Sequence, residues 1–162
     1  MHVVVMGVTG CGKSTVGGLL AGVLGAEFAD GDGFHSEEAV AKMAANIPLT
    51  DADRWPWLAR VGTWLAGDDA RVVACSALKR EYRDMIREHA PDVAFVHLHA
   101  PQEVLEARVA RRARATGHFA GPGLLDSQYA ILEPLAPDER GVSIDVSETG
   151  PDEALAIARE AL

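Results

Sequence analysis

Cysteine is scarce in this chain, and the scarcity already excludes a class of fold. Cys11 and Cys75 are the only two in 162 residues, too few for a disulfide framework, and both are expected to be reduced thiols. Neither has metal-ligating partners at useful spacing. Long hydrophobic runs are missing too. No apolar stretch approaches the roughly 18 residues that span a bilayer, and the run from His2 to Met6 is short, leads straight into a glycine-rich loop and does not resemble a signal peptide. These absences point to a cytoplasmic protein with no membrane partner. Positive charge is in deficit, with 15 Lys and Arg against 24 Asp and Glu and a net charge of −9. Such a field repels polyanions, so nucleic acid is not expected as a partner and the ligand should be small.

Against these gaps stands one dense motif. Residues Gly7-Val8-Thr9-Gly10-Cys11-Gly12-Lys13-Ser14 spell G-x-x-x-x-G-K-S between the apolar run Val3-Val4-Val5-Met6 and a helix-period segment, which is the context a phosphate-binding loop requires. The glycines let backbone N–H groups turn toward phosphates, Lys13 reaches the β/γ oxygens, and the Ser14 hydroxyl suits Mg²⁺. The anion would sit at the N-terminus of the helix starting near Lys13. Gly7, Gly10, Cys11, Gly12, Lys13, Ser14 and Thr15 are therefore the expected nucleotide contacts. Lys13 is also a catalytic candidate, and ATP and Mg²⁺ are the expected cofactors.

Helix and strand signals alternate along the chain. Val16, Leu19, Leu20, Val23 and Leu24 share one helix face that ends at Gly25. Strands are expected at 26–29, 72–75, 93–98 and 142–146, after the first at 3–6. Helices are expected at 36–46, from Asp51 as cap through Leu65, around 82–89, from Pro101, at 124–132 and from Pro151. The stretch 114–123, with Gly117, Gly121, Pro122 and Gly123, reads as a flexible loop. Strands separated by helices mean an α/β fold, an open parallel sheet of about five strands covered on both faces, with ligands at the carboxyl ends of the strands. The whole of 1–162 reads as one domain.

The segments after the other strands supply more chemistry. Asp30 and Asp32 follow the second strand; one carboxylate can hold Mg²⁺ and the other can orient or deprotonate an acceptor hydroxyl. No apolar run ends in the usual Mg-holding Asp, which favours Asp30 and Ser14 for the metal and leaves Asp32 for the acceptor. After the third strand, Ser76 could bond a substrate, while Lys79 and Arg83, one helical turn apart, could bind a carboxylate or phosphate or could form a solvated basic face. Arg108, Arg111, Arg112 and Arg114 run into the glycine-containing loop; mobile arginines there could close over the nucleotide, Arg108 holding it and Arg112 neutralising the transferred phosphoryl group. His97 and His99 alternate on a strand, too few for a metal site. Trp55 and Trp57 could wall a substrate pocket or simply pack.

Taken together, these residues resemble the bacterial gluconate kinases, within the small phosphate-loop kinase superfamily that also holds the shikimate and nucleoside-monophosphate kinases. The likeness spans nearly the whole chain. It rests on the loop at 7–14, Asp30-x-Asp32 with His35, Lys42-Met43, Pro48-Leu49, Asp51-x-Asp53-Arg54-x-Pro56-Trp57-Leu58, Cys75-Ser76-Ala77-Leu78-Lys79 with Tyr82-Arg83-Asp84, Gly117-His118-Phe119, and Leu124-Leu125-x-Ser127-Gln128. The resemblance implies ATP-dependent phosphorylation of D-gluconate at its 6-hydroxyl, a homodimer, and strand order 2-3-1-4-5. It further implies a substrate-binding helical segment at about 35–67, a lid at about 112–123, and Asp32, His35, Arg54, Ser76, Lys79, Arg83, His118 and Gln128 on the acceptor side. The chain departs from the family pattern at Ser36 and Ala39, where Pro and Asn are usual. Two rivals stand beside this reading. A kinase for another polyol acid such as shikimate remains open, although shikimate kinases carry Gly-Gly-Gly where this chain has Cys75-Ser76-Ala77. A nucleotide-binding switch would use Asp30-Gly31-Asp32-Gly33 as D-x-x-G, but the chain's one asparagine, Asn46, lies outside any N-K-x-D.

Overall fold

The computed structural model describes residues 1–117 and 123–162. Its sheet has the order β2-β3-β1-β4-β5, all pairs parallel, built from β1 (His2–Met6), β2 (Glu27–Asp30), β3 (Arg71–Ala74), β4 (Ala94–His99) and β5 (Gly141–Asp145). The helices are α1 (Lys13–Leu24), α2 (Glu37–Ala44), α3 (Asp51–Leu65), α4 (Arg80–His89), α5 (Gln102–Thr116), α6 (Leu124–Ile131) and α7 (Pro151–Ala161). The expected order 2-3-1-4-5 is therefore the observed one.

Burial on both faces explains why β1 reads as an unbroken apolar run rather than as an alternating one. Side chains of a strand point alternately to opposite faces. Val3 and Val5 accordingly join one core with Val16 and Leu20 of α1, Leu105 of α5, Leu125 of α6 and Ala154 and Ala158 of α7. Val4 and Met6 join the other, with Trp57, Leu58, Val61 and Leu65 of α3 and Tyr82 and Ile86 of α4. These four residues of β1, Val3 to Met6, are fully buried. A charge placed at any of them would enter a dry interior without a partner.

Local boundaries follow from capping. α1 ends at Gly25, whose left-handed conformation returns its N–H to Ala21 and Gly22. Asp51 does not cap α3, as the sequence suggested. Thr50 does, accepting from the Asp53 N–H while the Asp53 carboxylate accepts from the Thr50 N–H; this reciprocal pairing leaves Asp51 as the first helical residue, its carboxylate free for other partners. The expected loop at 114–123 begins later, because α5 continues through Thr116 and stops at left-handed Gly117. Among the described residues no helix is long and apolar enough to cross a membrane.

Candidate active site

The phosphate loop lies between β1 and α1, and its path requires glycine. Gly7 adopts φ +143°, and a Cβ there would lie 2.5 Å from the Leu98 carbonyl oxygen and 2.7 Å from Cys11 Sγ. Gly12, at φ +94°, precedes α1 with no side-chain cap, and the first turn of α1 carries no acidic residue. Its N–H groups are thus left for an incoming anion. Lys13 Nζ donates to the Val8 carbonyl at 3.0 Å, which holds the ammonium across the loop. Two outside bonds brace the loop: the Gly7 N–H donates to the Ser76 carbonyl at 3.3 Å, and the Thr9 N–H donates to Gln128 Oε1 at 2.8 Å.

Beside the loop, Gly10, Cys11, Gly12 and Thr15 face Arg108, Val146, Thr149 and Pro151 across a cleft. Arg108 is hydrogen-bonded at the edge of this cleft. Its Nη2 donates to the Val146 carbonyl at 2.6 Å and the Ser147 carbonyl at 3.1 Å, fixing it to the chain after β5. Arg112 and Arg114 are exposed on α5. Both thiols are buried, and burial raises the Cys11 pKa and pushes Cys75 up to about 12; neither presents a thiolate near neutral pH.

The two aspartates sit where the second strand ends. Ser14 Oγ donates to Asp30 Oδ2 at 3.2 Å, and Asp30 Oδ1 accepts from the Asp32 N–H at 3.0 Å. Asp30 is thereby turned toward the phosphate loop, while the Asp32 side chain is exposed. Asp32 rides on a 3-10 turn, Gly31–Phe34, that α3 grips from above. Trp57 Nε1 donates to the Gly31 carbonyl at 2.8 Å and Arg60 Nε to the Phe34 carbonyl at 2.7 Å. A Cβ at Gly31 would come within 2.6 Å of the Ala74 carbonyl. His35 stacks on Trp57, rings 4.2 Å apart and 16° from parallel. Desolvation lowers its pKa, with Arg60 and Arg54 acting in the same direction and Asp32 opposing. Trp57 is buried and packs in the core beneath this turn.

A second cluster lies where α3 meets the start of α4. The Tyr82 hydroxyl donates to Asp51 Oδ1 at 2.6 Å and accepts from Arg54 Nη1 at 3.0 Å. Lys79 Nζ lies 3.8 Å from Asp51 Oδ2. Burial, then the bond to Asp51, pushes the Tyr82 hydroxyl up to about 12. The Asp51 pKa is lowered, chiefly by the Tyr82 hydrogen bond.

Several expected acceptor contacts are placed elsewhere. Arg83 is fully buried and paired bidentately with Glu139 at 2.7 and 2.9 Å, and it also donates to the Ala77 carbonyl at 3.0 Å. Its positive charge is neutralised in the interior, so it does not share an open basic face with Lys79, and the expectation of a substrate contact is corrected. The Gln128 carboxamide oxygen serves the phosphate loop rather than the acceptor side. His118 lies outside the described residues, as do positions 119–122 of the expected lid. Ser76 is half-buried, with its carbonyl on the loop. Ser36, at the departure from the family pattern, caps α2 by accepting from the Ala39 N–H at 3.1 Å. Sequence reasoning did not anticipate the contacts of Tyr82 with Asp51 and Arg54 or the pairing of Glu139 with Arg83; the spacing of Asp51 and Arg54 at one helical turn was the signal for the first.

The shikimate kinase family model matches residues 9–123. The chain is 45% identical to a gluconokinase of Gluconobacter oxydans over 94% of this chain and 85% of that one. Two solved structures superpose closely: an unliganded sugar kinase from Janibacter sp. at TM-score 0.90 and 45% identity, over 98% and 92% of the two chains, and a gluconokinase from Sinorhizobium meliloti at 0.88 and 45%, over 99% and 90%. A shikimate kinase from Aquifex aeolicus shares the fold at TM-score 0.60 but only 17% identity, over 99% and 95%.

Proposed function

The chain belongs to the gluconokinase family, and on that premise we propose that it transfers the γ-phosphoryl group of ATP to the 6-hydroxyl of D-gluconate, giving 6-phospho-D-gluconate and ADP. The observation that carries the reading is the Ser14–Asp30 contact, because it brings the Asp30–Asp32 turn against the phosphate loop. Nucleotide phosphates and an acceptor hydroxyl can then meet between them.

Each side chain has distinct work. The loop N–H groups and Lys13 bind the β/γ-phosphates and offset charge developing during transfer. Arg108, fixed beside the cleft, lines the seat of the nucleoside. Asp32 takes the proton of the acceptor hydroxyl as its oxygen bonds to the γ-phosphorus and ADP departs. Ser14 and Asp30 are hard oxygen donors at the phosphate loop and fit Mg²⁺, which is bound by one or two such groups together with nucleotide phosphates. When bound, Mg²⁺ would supply charge neutralisation on the phosphates. Arg54, Lys79 and His35 line the acceptor side, where a sugar acid offers a carboxylate and several hydroxyls.

The same reading takes the chain as one kinase domain, with a substrate-binding segment at about 35–67 and a lid at about 112–123 carrying Arg112 and His118, in a cytoplasmic homodimer. Sedimentation would test the assembly. Activity is tested by ADP release with MgATP against a panel of D-gluconate, shikimate, other sugar acids and no acceptor. Turnover fastest with gluconate is expected. A faster rate with another acid would overturn the substrate, and release equal to the acceptor-free rate throughout would overturn the enzyme.

A further inference from the structure

The cluster of Asp51, Arg54, Lys79 and Tyr82 has a charge pattern that packing does not explain. Two cations share a single carboxylate, and all three charged side chains remain partly open, at 26% for Arg54, 29% for Lys79 and 42% for Asp51. We propose that Asp51, acting with Tyr82, is a positioning residue that holds Arg54 and Lys79 as a two-cation seat for the carboxylate of the acceptor. The proposal rests on the kinase reading above and deepens it.

The argument starts at the helix cap. Thr50 and Asp53 fix the first turn of α3 by their reciprocal bonds, and Lys42 of α2 clamps Asp53 at 2.9 Å through both carboxylate oxygens. Asp51 therefore departs from a rigid backbone. Its strongest bond is the 2.6 Å one from Tyr82, a short charge-assisted contact. Tyr82 belongs to α4 and is itself buried, so this bond links the two helices that carry the cations. By contrast, Arg54 stands 3.4 Å and Lys79 3.8 Å from Asp51, distances at which half-exposed ion pairs contribute little by themselves. Both cations also lie over the Tyr82 ring, at 5.6 and 5.5 Å from its centroid. Asp51 and Tyr82 thus hold the cations loosely from one side, and the cluster keeps one uncompensated positive charge. A monoanion would neutralise it. The cluster also borders the acceptor turn, since the Arg54 charge acts on His35, which stacks on the Trp57 that grips the Asp32 turn.

Without Asp51 two like charges would face each other and swing toward solvent, so each acceptor would have to regather them. The test compares D-gluconate with its uncharged amide, D-gluconamide, in the wild type, Asp51→Asn and Tyr82→Phe, with gluconate binding also read by calorimetry. Asp51→Asn should raise KM for gluconate about tenfold, with a smaller change in kcat and KM for ATP. Its preference for gluconate over the amide should shrink by a similar factor. Tyr82→Phe keeps the ring and loses the hydroxyl, and about threefold of the same shift is expected; Asp51→Glu should restore part of the loss. Equal losses on acid and amide would mean a merely structural role and overturn the proposal. So would an unchanged or lower KM for gluconate in Asp51→Asn. If Asp51→Asn fails to fold, the Tyr82→Phe comparison decides by the same criterion. Wild-type protein that binds gluconate but does not phosphorylate it would sink the acceptor reading alone, because calorimetry on the variants still reads the seat; wild-type protein that does not bind gluconate would sink both.

Discussion

The phosphate loop takes its shape from main chain, whereas the acceptor side is assembled from side chains that meet across long stretches of sequence. In the loop, Gly7 and Gly12 adopt backbone conformations that other residues rarely take, and the N–H groups of the first turn of α1 carry no side-chain cap. On the acceptor side, Trp57 reaches 26 residues to Gly31, Tyr82 reaches 31 to Asp51, and Arg83 reaches 56 to Glu139. A loop made of main chain tolerates loss of a side chain structurally but not chemically. A pocket made of braced side chains can fail in either way, depending on which member is removed.

The largest effect should come from Lys13→Ala. Lys13 carries the only side-chain cation of the loop and is held there by one bond to the Val8 carbonyl, so turnover should fall by about 10³-fold or more while the melting curve stays in place. Near-normal turnover would mean that the nucleotide does not use this loop. An unfolded variant would break the claim that the loop stands on its main chain.

Next in size is Glu139→Gln, which separates the buried brace from the open seat four residues away. Glu139 is the charge partner of Arg83, and Arg87 reaches the same carboxylate. Removing one member of a buried pair leaves the other charged and unpaired, at a cost of about 3–5 kcal/mol. Lys79→Met, at a partly open cation weakly paired with Asp51, should change stability by about 1 kcal/mol or less. Urea unfolding of both variants checks the contrast; equal losses would mean that Arg83 and Lys79 do similar work.

The third comparison lies within the acceptor turn. Asp32→Asn keeps shape and hydrogen bonding but cannot take a proton, and kcat should drop about 10²-fold with KM for ATP nearly unchanged. Asp30→Asn, facing Ser14, should instead raise the Mg²⁺ concentration needed for half-maximal rate. If Asp32→Asn keeps its kcat, the acceptor proton goes elsewhere.

These regions also differ in how legible they were. The strand order was implied by the family resemblance, whereas the strands themselves, the phosphate loop and the Asp30 and Asp32 turn could be read from local patterns, because each depends on neighbours within a few residues. Arg83 could not. Its spacing from Lys79 is correct for a shared helix face, but the glutamate that buries it lies beyond α6, and nothing near position 83 announces that partner. Gln128 was misplaced for the same reason: a helix remote in sequence turns it onto the Thr9 N–H. Thr50 rather than Asp51 caps α3 because Asp53 completes the reciprocal pair, a competition that a list of cap-forming residues does not resolve. Ala77 is a further hidden feature. Its φ of +43° suits glycine better than alanine, and the Arg83 bond to its carbonyl helps hold that turn.

The smallest expected effect tests whether the core beneath the acceptor side carries a group with no task in the site. His97 is 2% exposed, on the same face of β4 as Phe95, and neither ring nitrogen has a hydrogen-bond partner among the described residues. Desolvation, helped by His99 and Arg83, lowers its pKa to about 4. The unfolded ring titrates near 6.5, so between pH 6.5 and 4 the unfolded chain takes up a proton that the folded chain refuses, and stability falls as pH drops through that window. Glu139 acts lower still. Burial pushes its carboxyl up, but bonds from Arg83, the Ala136 N–H and Arg87 outweigh it and hold it at about 2; its contribution is present above the usual carboxylate range and lost as pH falls toward 2. His97→Leu removes two unpaired buried nitrogens and the first of these titrations. The variant should be more stable at pH 7 by about 1 kcal/mol and should lose less stability between pH 6.5 and 4, while its dependence below pH 4 stays as in the wild type. Urea unfolding across pH 3 to 8 reads both slopes. A slope between 6.5 and 4 that survives the substitution would assign the proton to another histidine, and a destabilised variant at pH 7 would mean that the imidazole has a partner in the folded protein after all.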